Sequence, residues 1–197
     1  MRELEVIKIL QEELKFTDQS IDKLKMLETE LLNANKKHNF IAKSTEDSIW
    51  SRHILDSAQL VKYINFKQGS LSDLGSGAGF PGLVLAIYNQ NFNFHVKLYE
   101  KSPVKRDFLD EMIDKLKIKA ELHPNVFDGN IESEYIVSRA FKKLDKIMFF
   151  ISIQEFCFKH FKFIDRLIIK FKLLLKNFYN FLLPHQAEAL YLSFLMC

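Results

Sequence analysis

Four of the six glycines in this 197-residue chain fall within eight positions, at Gly75, Gly77, Gly79 and Gly82. Glycine gathers where backbone takes positive φ or must approach something closely. Upstream, residues 70–75 read as a short strand running into the cluster. Downstream, Pro81 sits where a first-turn helical proline is tolerated, and Leu83 to Tyr88 continue as a helix. A strand that ends in glycines and feeds a helix directs amide N–H groups, and the positive end of the helix dipole, at one spot. In a doubly wound sheet that spot is the carboxyl edge, where ligands bind.

The flanking pattern supports such a sheet. His95 to Glu100 alternate and read as a second strand, 103–117 as a helix opened by Pro103, 119–123 as a third strand, and Tyr135 to Ser138 as a fourth. Strand alternating with helix predicts a parallel sheet covered on both faces. Three amphipathic helices precede it. Residues 3–16 carry Leu4, Ile7, Leu10 and Leu14; 18–36 carry Ile21, Leu24, Leu27 and Leu31 behind an Asp18 N-cap; 45–65 carry Ile49, Trp50, Ile54, Leu55 and Leu60. The expected organisation is an N-terminal helical cap (1–66), an α/β core (67–148) and an atypical tail (149–197).

That tail holds 10 of the 19 phenylalanines and no glycine. Residues 161–183 read as an apolar helix, or a pair of helices, interrupted by lysines. Lys162, Lys170, Lys172 and Lys176 argue against a membrane span. The positive excess of the chain, +3, also lies wholly in the tail. A balance this modest does not argue for nucleic acid. Cys157 and Cys197 lack metal-ligand spacing, so no metal site is expected, and they fit a reducing compartment. The charged N-terminus does not read as a secretory signal, which makes the expected location cytoplasmic.

The glycine spacing fits two ligand classes. Gly77-x-Gly79-x-x-Gly82 matches the dinucleotide fingerprint by letter and leaves an NAD-type oxidoreductase open. Asp73-x-Gly75-x-Gly77-x-Gly79 matches the nucleoside-binding turn of class I methyltransferases. Asp73 favours the second. A carboxylate before the first glycine repels a pyrophosphate and suits the ammonium of S-adenosylmethionine. Glu100, 25 positions after Gly75, stands where an acidic residue accepts hydrogen bonds from ribose hydroxyls. Alone, it reads as an ordinary charged strand end.

Further motifs carry a family resemblance. Arg52-His53-Ile54-Leu55-Asp56-Ser57, the turn Asp73-Leu74-Gly75-Ser76-Gly77-Ala78-Gly79-Phe80-Pro81-Gly82, Lys105-Arg106-x-Phe108-Leu109, and Ser138-Arg139-Ala140-Phe141 together resemble the RsmG family, also called glucose-inhibited division protein B. Asn39, in His-Asn-Phe-Ile at 38–41, is similar to the family's Asn-Leu-Thr segment. The resemblance covers about residues 30–145. It implies a Rossmann-like methyltransferase that uses S-adenosylmethionine to methylate guanine N7 in bacterial 16S ribosomal RNA, alone or in the small subunit. It further implies that Gly75 and Phe80 contact the cofactor, that Glu100 holds the ribose, and that Val126 and Phe127 lie beside the adenine. Arg139 would contact cofactor or target, with Asn39, Arg52, His53 and Asp56 closing over the pocket. Arg52 or Arg139 would donate to guanine O6. A monomer is expected.

Some residues have plainer readings. His53 and Asp56 share a helix face and form a surface pair if the resemblance is set aside. Lys101, Lys105 and Arg106 are either a solvated helix start or an RNA phosphate contact that Lys142, Lys143 and Lys146 extend. Trp50 reads as core. His95 and His123 read as strand residues without a catalytic role, and Tyr99 as sheet packing or an adenine contact. The resemblance ends soon after Phe141. The Phe-, Ile-, Lys- and Asn-rich remainder fits a shifted reading frame or gene decay, and hence an inactive remnant that at most binds cofactor or RNA.

Overall fold

The computed structural model describes residues 2–124 and 133–139, and the backbone of 162–163. Five parallel strands form one sheet in the order β3-β2-β1-β4-β5: β1 (Gly69–Leu74), β2 (Phe94–Tyr99), β3 (Ala120–His123), β4 (Tyr135–Val137) and β5 (Lys162–Phe163). Asp73 stands in register with Leu98 on one side and Val137 on the other. Strand order therefore reverses at β1, whose neighbours are β2 and β4. In open parallel sheets the crevice at this switch point lies at the carboxyl ends of the strands, where the glycine cluster begins. The doubly wound Rossmann-like reading holds for the described sheet. Within 161–183, read from sequence as helical, Lys162–Phe163 is a strand beside β4; the rest of that span lies outside the described residues.

Helices α4 (Gly82–Tyr88) and α5 (Pro103–Leu116) make the crossovers between β1, β2 and β3. Six of the seven α4 residues, Gly82 to Ile87, are buried, because this helix packs between β2 and the N-terminal helices. Its all-round apolar sequence, Gly-Leu-Val-Leu-Ala-Ile-Tyr, is the pattern of a helix with no solvent face. Each fully buried Leu contributes on the order of 2 kcal/mol of hydrophobic stabilisation. Pro81 is the residue before the first turn rather than within it, and the Phe80–Pro81 peptide is cis.

Before the sheet come α1 (Glu3–Glu12) and α2 (Asp18–Asn35). In α1 the buried stripe is Val6 and Leu10, while Leu4 is 79% exposed, so the inward face is rotated from the one expected. Helix α2 is capped by Thr17, not Asp18: the Thr17 hydroxyl accepts from the Ser20 amide at 3.2 Å. A threonine cap of this kind contributes about 1 kcal/mol. Thr17→Ala should lower unfolding free energy by about that amount in urea titrations, and an unchanged midpoint would show the cap to be inert. Ser20 also donates to the Ile87 carbonyl, tying α2 to the end of α4.

The third expected helix, 45–65, is not one helix. It runs as a 3₁₀ segment (Lys43–Ser48), a π segment (Trp50–Leu55), a short α turn, α3 (Asp56–Ala58), and a second 3₁₀ segment (Gln59–Tyr63). Two features account for the irregularity. Hydroxyls of Ser48, Ser51 and Ser57 bond back to carbonyls of Thr45, Ser48 and His53, a pattern that bends helices. The wide π turn also lets Trp50, Ile54 and Leu55 all face inward, and Trp50 Nε1 donates to Glu28 at 2.7 Å. Burial raises the Glu28 carboxyl above its ordinary range, with the Trp50 bond opposing it. Trp50 is thus a core residue.

Among the described residues, no helix is long and apolar enough to cross a membrane.

Candidate functional site

The chain leaves β1 in a turn with positive φ at Gly75 (75°), Gly77 (58°) and Gly79 (93°). These conformations explain the glycines there. The amides, however, do not all face one ligand spot as the sequence suggests. Gly75 and Ser76 both donate to the Tyr99 carbonyl, at 2.8 and 3.0 Å. Gly79 and Phe80 donate to the Ser76 carbonyl. Gly77 donates to Glu100 Oε2 at 2.9 Å, and Gly82 to Asp73 Oδ2 at 2.9 Å. Six amides that a pyrophosphate would recruit are committed within the protein.

Asp73 is fully buried. One carboxylate oxygen, Oδ2, holds the start of α4 through Gly82; the other, Oδ1, is buried with no partner among the described residues. Burial pushes the carboxyl up to about 7, against the bond from Gly82 and the charge of Arg139. Such an oxygen favours a neighbouring cation. Glu100 is 7% exposed and binds at both oxygens, to Gly77 N–H and to Ser102 N–H at 2.8 Å. It fastens the glycine turn to the start of α5. An ionised carboxylate accepts about four hydrogen bonds, so capacity for two more remains.

A second group of side chains meets at Phe80. The His53 ring lies 5.1 Å from the Phe80 ring, tilted 32°, and the Arg139 guanidinium lies 5.2 Å from the Phe80 centroid. Arg139 follows β4, and its Nη1 reaches the Arg52 carbonyl at 3.4 Å. Burial, then the charges of Arg139 and Arg52, holds His53 down at about 4, so its ring is neutral at pH 7. Partial desolvation lowers Arg139, with the charges of Asp73 and Asp56 opposing. Phe80 thereby joins the glycine turn, which Asp73 and Glu100 hold through Gly82 and Gly77, to His53 of the π segment and to Arg139 after β4, whose side chain reaches the Arg52 carbonyl.

Other expected residues sit differently. Asn39 is exposed in the loop after α2. That loop is held by Asn35, whose Oδ1 accepts from Phe40 and Ile41 amides while Nδ2 donates to Glu46 at 2.6 Å. The sequence reading missed Asn35; a buried asparagine at the last position of α2 is a capping signal. Lys105 is part-exposed in the first turn of α5. Arg106 is turned inward, its Nη1 donating to the carbonyls of Lys101 at 2.7 Å and Glu100 at 3.2 Å. That geometry makes Arg106 a strap on the β2–α5 loop. Tyr99 stacks on His123 at 4.7 Å. Val126, Phe127, Lys142, Lys143 and Lys146 lie outside the described residues. Among the described residues, no group of three or more His, Cys, Asp and Glu side chains is arranged to hold a metal.

Known proteins share this framework. The family described as "rRNA small subunit methyltransferase G" matches residues 20–154. A Pelagibacter ubique protein named ribosomal RNA small subunit methyltransferase G is 35% identical over 145 residues, 71% of this chain and 65% of the relative. The Magnetococcus marinus protein of that name is 39% identical over 136 residues, 66% of this chain and 60% of the relative. The chain thus spans less than two thirds of the length of these relatives. A crystal structure of coclaurine N-methyltransferase is similar at 17% identity and a TM-score of 0.44, over 77% of this chain and 54% of that one. The match over more than half of the residues, on a sheet that reverses at β1, places this chain in the rRNA small subunit methyltransferase G family.

Proposed function

We propose that the chain binds S-adenosylmethionine at the turn after β1 and methylates guanine N7 of 16S ribosomal RNA, within or outside the small subunit. The observation that carries this reading is the division of labour at the turn. Its amides are committed internally, while buried Asp73 keeps a free oxygen. A site of that kind suits a ligand with a cationic amino acid end and is poorly suited to a dinucleotide. Asp73 would face the ammonium, Glu100 the ribose, and Gly75, Gly77, Gly79 and Phe80 the body of the cofactor. Val126 and Phe127 would complete the adenine side.

When bound, S-adenosylmethionine supplies a methyl group on a sulfonium. The protein's part is placement. Guanine N7 carries a lone pair and needs no general base, which accords with a His53 that stays neutral. Arg139 and Arg52 are the donors for guanine O6, with Asn39 and Asp56 at the rim. Lys105, Lys142 and Lys143 would meet RNA phosphates; Arg106 would support that surface from the loop. We propose the helical cap (1–66), core (67–148) and tail (149–197) as the functional divisions, and a cytoplasmic monomer as the working form.

Calorimetry with S-adenosylmethionine, with NADH as comparison, and methyl transfer to unmodified small subunits test the reading. The expected result is cofactor binding, no NADH binding and transfer. Glu100→Ala should weaken cofactor binding roughly ten- to a hundredfold, the loss of a charge-assisted bond. Wild-type affinity in that variant would remove Glu100 from the site. A second reading, binding without turnover, is favoured by the family match ending at residue 154. A shifted frame would produce it, and resequencing the gene across codon 149 tests that origin.

A further inference from the structure

The hydrogen bonds around His53 define which edge of its ring is available. Thr45 Oγ1 lies 2.7 Å from the Ala42 carbonyl oxygen. Two oxygens that close need a proton between them, and a carbonyl has none to give. The single hydroxyl proton of Thr45 therefore goes to Ala42. His53 Nε2 lies 3.1 Å from the same Oγ1. Thr45 can only accept there, so Nε2 must carry a proton. A neutral imidazole has just one, which leaves Nδ1 as a bare lone pair. That Nδ1 is buried and has no partner among the described residues.

A buried acceptor without a donor is costly. The nearby surplus is of donors. Arg139 packs on the same Phe80 ring as His53 and donates to the Arg52 carbonyl at 3.4 Å. A guanidinium has five N–H groups and no acceptor. We propose that Thr45 is a positioning residue: by accepting a hydrogen bond from Nε2–H it locks His53 as an acceptor at Nδ1, and the Nδ1 lone pair receives a guanidinium N–H of Arg139 to orient that arginine toward the target base. The role in transfer rests on the reading given under Proposed function. The tautomer does not.

Nitrogen-15 NMR of the full chain at pH 7 decides it. His53 is assigned by the signal that His53→Gln removes. The expected spectrum has an unprotonated-type Nδ1 and a protonated-type Nε2. With Arg139→Met freeing Nδ1, Thr45→Val should shift His53 toward the other tautomer and Thr45→Ser should leave it unchanged. Arg139→Met should move the Nδ1 signal. In methyl transfer, Thr45→Val should lower kcat on the order of tenfold, while KM and cofactor affinity stay within about twofold. A protonated Nδ1 in the wild type, an unchanged tautomer when Thr45→Val is combined with Arg139→Met, or an unmoved Nδ1 in Arg139→Met overturns the proposal. If Thr45→Val fails to fold, the wild-type, Thr45→Ser and Arg139→Met spectra still distinguish the two tautomers and the Arg139 contact. If the wild type transfers no methyl group, the functional reading fails while the spectra still report the tautomer.

Discussion

Gly82→Ala should destabilise the protein by about 3 kcal/mol and lower its melting temperature by on the order of 10 °C. Helix propensity alone predicts the opposite sign, since Ala is favoured over Gly in a helix by about 1 kcal/mol. Packing reverses it. A Cβ at residue 82 would overlap the Leu98 side chain and stand 2.6 Å from Asp73 Oδ2. Either Leu98 moves, on the strand beside β1, or the Asp73 bond to the residue 82 amide lengthens. Overpacking costs roughly 1–3 kcal/mol and the charge-assisted bond another 1.5–3, of which only part is lost. Gly77→Ala is the contrast. Its new Cβ would meet nothing nearer than the Gly75 carbonyl at 3.8 Å, so only the strain of φ +58° remains, about 1 kcal/mol. Thermal unfolding of both variants measures the difference. Equal losses would mean that the close contact of Gly82 with β1 and β2 is not what holds the turn.

The second large effect is a pH dependence centred on Asp73. Its carboxyl sits at about 7 in the folded chain against an ordinary 3.8. Below pH 4 it is protonated in both folded and unfolded chains. Between about 4 and 7 the unfolded chain has released a proton that the folded chain keeps, so stability falls as pH rises. The loss is complete above 7 and amounts to roughly 4 kcal/mol for a shift of this size. Asp73→Asn should abolish this component, because the amide oxygen still accepts from Gly82 and no charge is buried. The variant should be more stable than the wild type at pH 8.5 and close to it at pH 4. Cofactor affinity should show the reverse. It should rise with pH through 7 in the wild type, as the carboxylate forms, and be weak and flat in Asp73→Asn. Urea unfolding and calorimetry at three pH values give both curves. A wild type whose affinity ignores pH would remove Asp73 from ammonium binding.

Much of the framework was legible because it depends on local signals. Glycines with positive φ, Pro103 at a helix start and alternating apolar residues placed β1 to β4, α4 and α5 within a residue or two. That Arg52, His53 and Arg139 lie near one another was legible only through resemblance, since 87 positions separate Arg139 from Arg52. Residues 45–65 were misread as one helix. Hydrophobic spacing cannot distinguish an α-helix from a chain of 3₁₀ and π turns when serines bond back to carbonyls.

By itself, then, the sequence determined the order of strands and helices, the glycine turn, and the ligand class that Asp73 and Glu100 favour. Only the tertiary structure decided what those groups have left to offer. It committed the turn's amides to Tyr99, Ser76, Glu100 and Asp73, turned Arg106 onto the Lys101 and Glu100 carbonyls, and left one oxygen of Asp73 and one nitrogen of His53 without partners among the described residues. The reason is physical. Residue type sets how many hydrogen bonds a group can make, but how many remain open depends on neighbours that only folding brings within about 3 Å.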